Sequence, residues 1–428
     1  MRIPLSRPDI GEREIEYVTR ALKSRQLSLG PRLAEFEQKF AAYAGTRFAV
    51  ATNSGTSALH LCVRAFGIRE GDEVITTSFS FVASTNCLLY ERATPVFVDI
   101  EPETLNINPE KIREAIARDY CWDRERRRPI NRWTGRALKA ILPVHVFGLP
   151  CDMRAIVTIA REFNLYVIED ACEALGSTCR GRHVGTFGNA AAFAFYPNKQ
   201  MTTAEGGMVV TNDPRIAQLC RSLRNQGRDE GSGWLSHDRL GFNYRLSELH
   251  CALGLAQLER IDELLVARAR VAAIYSHELA GINSIRLPGK YADTVRGWFA
   301  YVIQVRCESA QPIRDLVIAK LRENGIGCQA YFPPIHEQPY LQDAWEEVGP
   351  FLPLTRAASQ SCIALPFFAS MTTEQVREVC AALKRILGEI LEDPAPAKYG
   401  DSPEELNQLE VARAGALNAN GDDFYGLS

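Results

Sequence analysis

The sequence predicts an α/β protein: a mostly parallel, seven-stranded sheet flanked by helices on both faces, followed by a smaller C-terminal α+β domain. Two observations carry this expectation. Seven short apolar runs alternate with helical stretches, namely RFAVAT from Arg47, EVITTSFS from Glu73, TPVFVDI from Thr94, AILPVHVFG from Ala140, LYVIEDA from Leu165, AAFAFYP from Ala191 and GGMVVT from Gly206. That alternation is the pattern of strands buried on both faces beneath crossover helices. The length of 428 residues exceeds the ~250–300 residues at which single cores stop growing, so two domains are expected.

Before the first run, residues 12–43 read as two amphipathic helices, with Ile15, Val18 and Leu22 on one stripe and Phe36, Phe40 and Tyr43 on the next. SLGPR, Ser28 to Arg32, separates them. From Leu246 to about Leu279 runs one long helical pattern, and the domain boundary falls within it: residues 1–255 form the large domain and 256–392 the small one. Beyond Asp393 the chain is rich in Pro, Ala, Gly and acids, which predicts a flexible tail over 393–428. DYCWDRERRRPINRWTGR, residues 119–136, interrupts the rhythm with six arginines. Basic runs of this kind are usually solvated, so a surface loop is expected there rather than a substrate or nucleic-acid site.

Composition narrows the function. Apolar residues make up 46% and charged residues 24%, no apolar run approaches the ~20 residues of a membrane span, and the N-terminus lacks a signal-peptide core. A cytoplasmic, soluble protein without membrane contact is expected. The formal charge of −3 offers no global attraction for nucleic acid. Twelve cysteines are scattered without a CxxC pair, so they predict buried small hydrophobes and no metal site. The expected partner is a small molecule.

Chemistry concentrates at the ends of the apolar runs. In FAFYPNKQMTTAEGG, Lys199 follows one strand and precedes a Thr/Gly-rich turn. Alone it would be an ordinary surface lysine. In VIEDACEALGS, Asp170 ends another strand, where α/β enzymes place their sites, although an N-cap would look the same. ATNSGTSALHL passes from strand to helix through Asn53, Ser54 and Gly55, and the free N–H groups there, with the hydroxyls of Thr56 and Ser57, make a site for a phosphate. TTSFSFVASTN offers Phe79 and Phe81, either of which could stack on a ring or simply fill the core. A phosphate turn, an aromatic, a carboxylate and a lysine are together what pyridoxal 5'-phosphate requires, since a carboxylate facing its ring nitrogen keeps the ring an electron sink.

These motifs in this order resemble the fold-type I pyridoxal-phosphate enzymes, and most closely the DegT/StrS family of sugar aminotransferases, over about residues 5 to 390. The supporting strings include NSGTSALHL, FSFVASTN, PVFVDIEPETLNI, PVHVFGLPCDM, LGFNYRLSELHCALGLAQL, GIGCQAYFPPIH and ALPFF. The resemblance implies that Lys199 is the Schiff-base lysine, Asp170 the pyridinium partner, Phe81 the ring stacker, and Gly55 and Thr56 the phosphate turn. It implies a homodimer in which Asn243 reaches the cofactor phosphate of the neighbouring subunit, and a place near the substrate for His336. Two positions depart from the family's pattern. Ala194 stands where many relatives have a phosphate-binding serine, so Thr56, Ser57 and Asn243 must carry more of the anchoring. Glu173 stands where Gln or His is common beside the cofactor's phenolic oxygen, so it is expected either protonated or turned towards substrate.

The implied function is transfer of an amino group from glutamate or glutamine to a keto-deoxy-sugar nucleotide, for amino-sugar or surface polysaccharide biosynthesis. A diphosphate on that acceptor calls for cations, for which Arg32, Arg228 and Arg245 are the candidates. Two alternatives remain: the family's dehydratase branch, in which a histidine replaces the lysine, and a non-catalytic regulatory protein on the same fold.

Overall fold

The computed structural model describes residues 1–229, 231, 233, 235–307, 310–342 and 350–392. Met1–Ile386 form one compact unit. In chain order the elements are α1 (Glu12–Ser24), α2 (Pro31–Ala44), β1 (Phe48–Thr52), α3 (Gly55–Ala65), β2 (Asp72–Thr77), α4 (Ala83–Leu89), β3 (Thr94–Val98), α5 (Pro109–Asp119), β4 (Tyr120–Asp123), β5 (Arg128–Asn131), β6 (Ala137–Leu142), α6 (Met153–Glu162) and β7 (Tyr166–Asp170). There follow β8 (Thr178–Cys179), β9 (Arg182–His183), β10 (Ala190–Ala194), β11 (Gly207–Thr211), α7 (Pro214–Arg224), α8 (Glu248–Glu259) and α9 (Ile261–Glu278). The last part holds β12 (Ile285–Arg286), β13 (Thr294–Val295), β14 (Tyr301–Val305), α10 (Ala310–Glu323), β15 (Gln329–Ala330), α11 (Pro339–Gln342), α12 (Pro353–Ser361), β16 (Cys362–Leu365) and α13 (Thr373–Glu392).

Helix starts are encoded locally. Ser54, Asn108, Asp152, Asp213 and Ser247 each accept a hydrogen bond from a first-turn amide of α3, α5, α6, α7 and α8. Pro109 and Pro214 occupy early helical positions, where a missing N–H costs nothing.

Each apolar run is a strand, and the seven lie in the order β1-β11-β10-β7-β6-β2-β3. The pairs β10·β7, β7·β6, β6·β2 and β2·β3 are parallel, while β11 is antiparallel to both its neighbours. Two antiparallel steps leave β1 running with β10. Val50, Ala192, Val209 and Ile168 face one core with α3 and α7, whereas Ala49, Ala51, Ala191 and Phe193 face another with Phe36 and Phe40 of α2. Both faces are therefore covered, as continuous apolar strands demand. The segments that follow β1, β2, β6, β7 and β10 all emerge at one edge. A second, antiparallel sheet, β12-β14-β16-β15, belongs to the later part of the chain, and β13-β8-β9 make a small third one.

Two expectations need correction. Residues 119–136 are not a loop but a β-hairpin, in which β4 pairs with β5 and Ile130 meets Ala137 of β6, extending the sheet to nine strands. The cause is Glu73, a buried carboxylate that accepts hydrogen bonds from Tyr120 Oη at 2.5 Å, Asn131 Nδ2 at 3.1 Å and Thr134 Oγ1 at 3.1 Å. Trp122, Trp133 and most of the arginines remain exposed, and the hairpin joins the N-terminal end of β6, away from the edge where the parallel strands end. The long helical pattern of 246–279 is two helices. It breaks at Arg260 (φ −109°, ψ 7°), whose guanidinium reaches Asp9 at 2.9 Å and Glu14 at 3.0 Å. The expected tail, 393–428, lies outside the described residues. Among the described residues no helix is long and apolar enough to cross a membrane.

Candidate active site

The common edge of the parallel strands gathers the residues singled out by the sequence. Asp170 ends β7 and is 4% exposed. Its Oδ2 accepts the Ser84 hydroxyl at 2.8 Å and its Oδ1 the Cys172 amide at 3.1 Å. These bonds fix the carboxylate's direction. The Ser84 amide donates to the carbonyl of Phe81 at 3.3 Å, which ties the aromatic to the carboxylate through one residue. Phe81 is 60% exposed whereas Phe79 is fully buried. Phe79 packs edge-on against Phe147 and Phe332, so it belongs to the core and leaves Phe81 as the ring open to a ligand.

Five residues beyond β10, Lys199 places Nζ 3.7 Å from Oε1 of Glu173 and 4.0 Å from the centroid of Phe299. Nζ thus lies over the ring face of Phe299 and within ion-pair distance of the Glu173 carboxyl. Glu173 is 5% exposed and accepts the Phe147 amide at 2.9 Å through Oε2. Burial raises its pKa, and Lys199 and the Phe147 amide only partly oppose this. Burial also pushes Tyr331 up to about 12, with Glu173 adding to the effect.

The turn after β1 starts α3. Ser54 caps the helix through the Ser57 amide at 3.0 Å, and Ser57 Oγ donates to Asn53 at 2.7 Å. Ser57 is 7% exposed and its hydroxyl braces the turn, whereas Thr56 is half-buried. Gly55 is required sterically, because a Cβ there would lie 2.6 Å from Cβ of Ala194 and 3.1 Å from Sγ of Cys172. Asn53 also joins Asn243: its amide donates to the carbonyl of Tyr244 at 3.0 Å and its Nδ2 to that of Asn243 at 3.4 Å. Within one chain, exposed Asn243 therefore stands beside this chain's own turn.

The remaining candidates lie further out. His336 is 7% exposed and bonds Ser78 Oγ at 2.6 Å just past β2, and burial lowers its pKa. Arg245 donates to Asn225 at 3.1 Å, whose carbonyl also accepts the Arg228 amide at 3.2 Å. Arg32 pairs with Glu35 at 2.7 Å on α2. Its neighbour Ser28 forms a bridge to Ser247, two residues after Arg245.

A buried strand-end carboxylate, a lysine amine, an open aromatic ring and a helix N-terminus are a donor set that fits pyridoxal 5'-phosphate. The comparisons agree. The model of the DegT/DnrJ/EryC1/StrS aminotransferase family matches residues 8–384. The chain belongs to that family. It is 39% identical over 389 residues to a GDP-perosamine synthase of Caulobacter vibrioides, covering 90% of this chain and 98% of that protein. Among solved structures it resembles Helicobacter pylori PseC, an aminotransferase of pseudoaminic acid biosynthesis, with a TM-score of 0.82 and 27% identity over 91% of this chain and all of the other. It also resembles S. venezuelae DesV, solved in complex with a ketimine intermediate, with a TM-score of 0.77 and 33% identity over 87% of this chain and 93% of that one. The family member is a fold-type I, pyridoxal-phosphate-dependent aminotransferase.

Sequence reasoning missed Ser84, Phe299 and Tyr331. Ser84 lay in the quoted string FSFVASTN, three residues past Phe81, where a hydroxyl one helical turn on was a usable signal. Phe299 and Tyr331 come from the later part of the chain, and nothing local distinguishes them from core aromatics.

Proposed function

We propose that this aminotransferase moves an amino group from glutamate or glutamine to a keto-deoxy sugar carried on a nucleoside diphosphate, as a cytoplasmic homodimer serving amino-sugar or surface polysaccharide biosynthesis. The observation that carries the reading is the meeting of Lys199 with Glu173 at 3.7 Å, at the same sheet edge as Asp170. The 39% identity to a GDP-perosamine synthase supports the acceptor class.

When bound, the cofactor supplies an electron sink for charge developing at the donor's Cα. Asp170 would face its ring nitrogen and favour the protonated ring, and Ser84 holds that carboxylate in line. Lys199 is the covalent anchor. Its free Nζ would take the proton from the donor Cα, and in the acceptor half-reaction it would return one. Glu173 and Phe299 steady Nζ when it carries that proton. Thr56 and the α3 N-terminus would hold its phosphate, Phe81 would pack on its ring, and Asn243 would complete a neighbour's site. Arg32, Arg228 and Arg245 serve the acceptor's diphosphate, and His336 lies near the sugar. Residues 1–255 and 256–392 work as a large and a small domain. The presence of Lys199 disfavours the dehydratase alternative.

The test is to convert the protein to its aminated-cofactor form and mix it with a panel of keto-sugar nucleotides. One of them should restore the pyridoxal-phosphate absorbance. Restoration by simple keto acids alone would contradict the acceptor assignment.

A further inference from the structure

Arg268, in the middle of α9, is 3% exposed, and Asp9 acts on its charge only from beyond ion-pair distance. Its charge is instead received by four backbone carbonyls. One terminal nitrogen, Nη2, donates to Lys199 O at 2.6 Å and Asn198 O at 3.4 Å. The other, Nη1, donates to Phe299 O at 3.3 Å and Trp298 O at 3.4 Å. Its Nε is buried without a partner, and the guanidinium carbon lies 5.6 Å from the centroid of Phe367. Burial pushes its pKa down to about 10.

A buried cation without an ion-pair partner is costly, and an apolar side chain of similar volume would spare that cost. The geometry shows what the arginine does that an apolar residue could not. The two segments it holds, 198–199 and 298–299, lie about a hundred positions apart in sequence. They carry the lysine and the ring that meet at 4.0 Å. Only a planar fork with several fixed donors spans four carbonyls from two backbone segments at once. A lysine would bring the charge without the fork.

We infer that Arg268 is a positioning residue for amino transfer: by clamping the backbone of Lys199 to that of Phe299, it sets where the Lys199 amine stands in the site. This rests on the reading of Lys199 as the cofactor's lysine. A displacement of that amine by an ångström is enough to slow a proton transfer by about 10-fold to 100-fold.

The experiment compares Arg268→Lys and Arg268→Gln with the parent and with Lys199→Ala. In the two Arg268 variants, turnover per folded, cofactor-loaded site should fall by about 10-fold or more while both substrate KM values stay within about twofold. The affinity for pyridoxal 5'-phosphate should weaken. The pH midpoint of the lysine-bound cofactor's absorbance should also move, a readout that a purely structural role would leave alone once folded sites are counted. Parental turnover, affinity and midpoint in either variant would overturn the inference. Failure of both variants to fold would overturn it too, because Arg268 would then be a residue of the fold itself. Lys199→Ala separates the two readings. Turnover in that control would remove the proposed function, whereas a dead control beside unchanged Arg268 variants would remove only the clamp.

Discussion

Half-buried Lys199 and buried Glu173 form a pair whose two members answer to different tests. Replacing Lys199 with alanine deletes the covalent anchor and the proton carrier without opening the core, so amino transfer should fall by at least ~1000-fold while the thermal transition stays cooperative. Kinetics and calorimetry on the variant would check both halves. Glu173 yields a pH prediction. Its native pKa is raised by burial in spite of Lys199, with Asp170 and Tyr331 also nearby. A carboxyl with a raised native pKa binds a proton on folding. Its contribution to stability is therefore full below the unfolded value near ~4.3 and is lost as pH climbs through the raised native one. Glu173→Gln cannot titrate. At matched cofactor loading, its unfolding temperature should gain on the parent's across that window and then hold a constant offset. A difference independent of pH would mean that Glu173 is not perturbed. Lys199 and Asp170 were legible in the sequence because strand ends can be read from apolar runs. Arg268, Phe299 and Tyr331 were not, because their meaning lies in what a distant segment brings to them.

Elements were predicted well where one local pattern decides them and poorly where a buried polar group does. The seven strands needed only continuous apolar runs, and the caps needed only Ser, Asn or Asp before a helix. The hairpin of β4 and β5 hides behind arginines, since its anchor is Glu73, some fifty residues earlier. Glu248 acts in the same way, accepting the amides of Gly30, Arg32 and Leu33 at the start of α2 from over two hundred residues away. Asp99 does so for Leu354 and Thr355 at the start of α12. Periodicity cannot reveal such long-range caps. Because the hairpin leaves the sheet at the end remote from Lys199, deleting residues 122–133 should change neither the donor nor the acceptor half-reaction. Stopped-flow absorbance of each half-reaction would test this, and a selective loss of acceptor binding would place those arginines in the site.

At the scale of the whole molecule, one chain sets Lys199, Asp170, Phe81 and the phosphate turn along one sheet edge, with Asn243 beside the turn. If Asn243 also completes a neighbour's site, mixing inactive Lys199→Ala and Asn243→Ala subunits should form heterodimers with one intact site and return part of the activity. A mixture as inactive as its components, despite exchange shown by mass, would leave each site to its own chain. The account as a whole turns on which side chain holds the cofactor. Borohydride reduction of the purified protein, followed by digestion and peptide mass mapping, measures this directly. The predicted result is a phosphopyridoxyl group on the peptide containing Lys199, absent from the Lys199→Ala variant. A label on another lysine, or undiminished amino transfer with no label at Lys199, would contradict it.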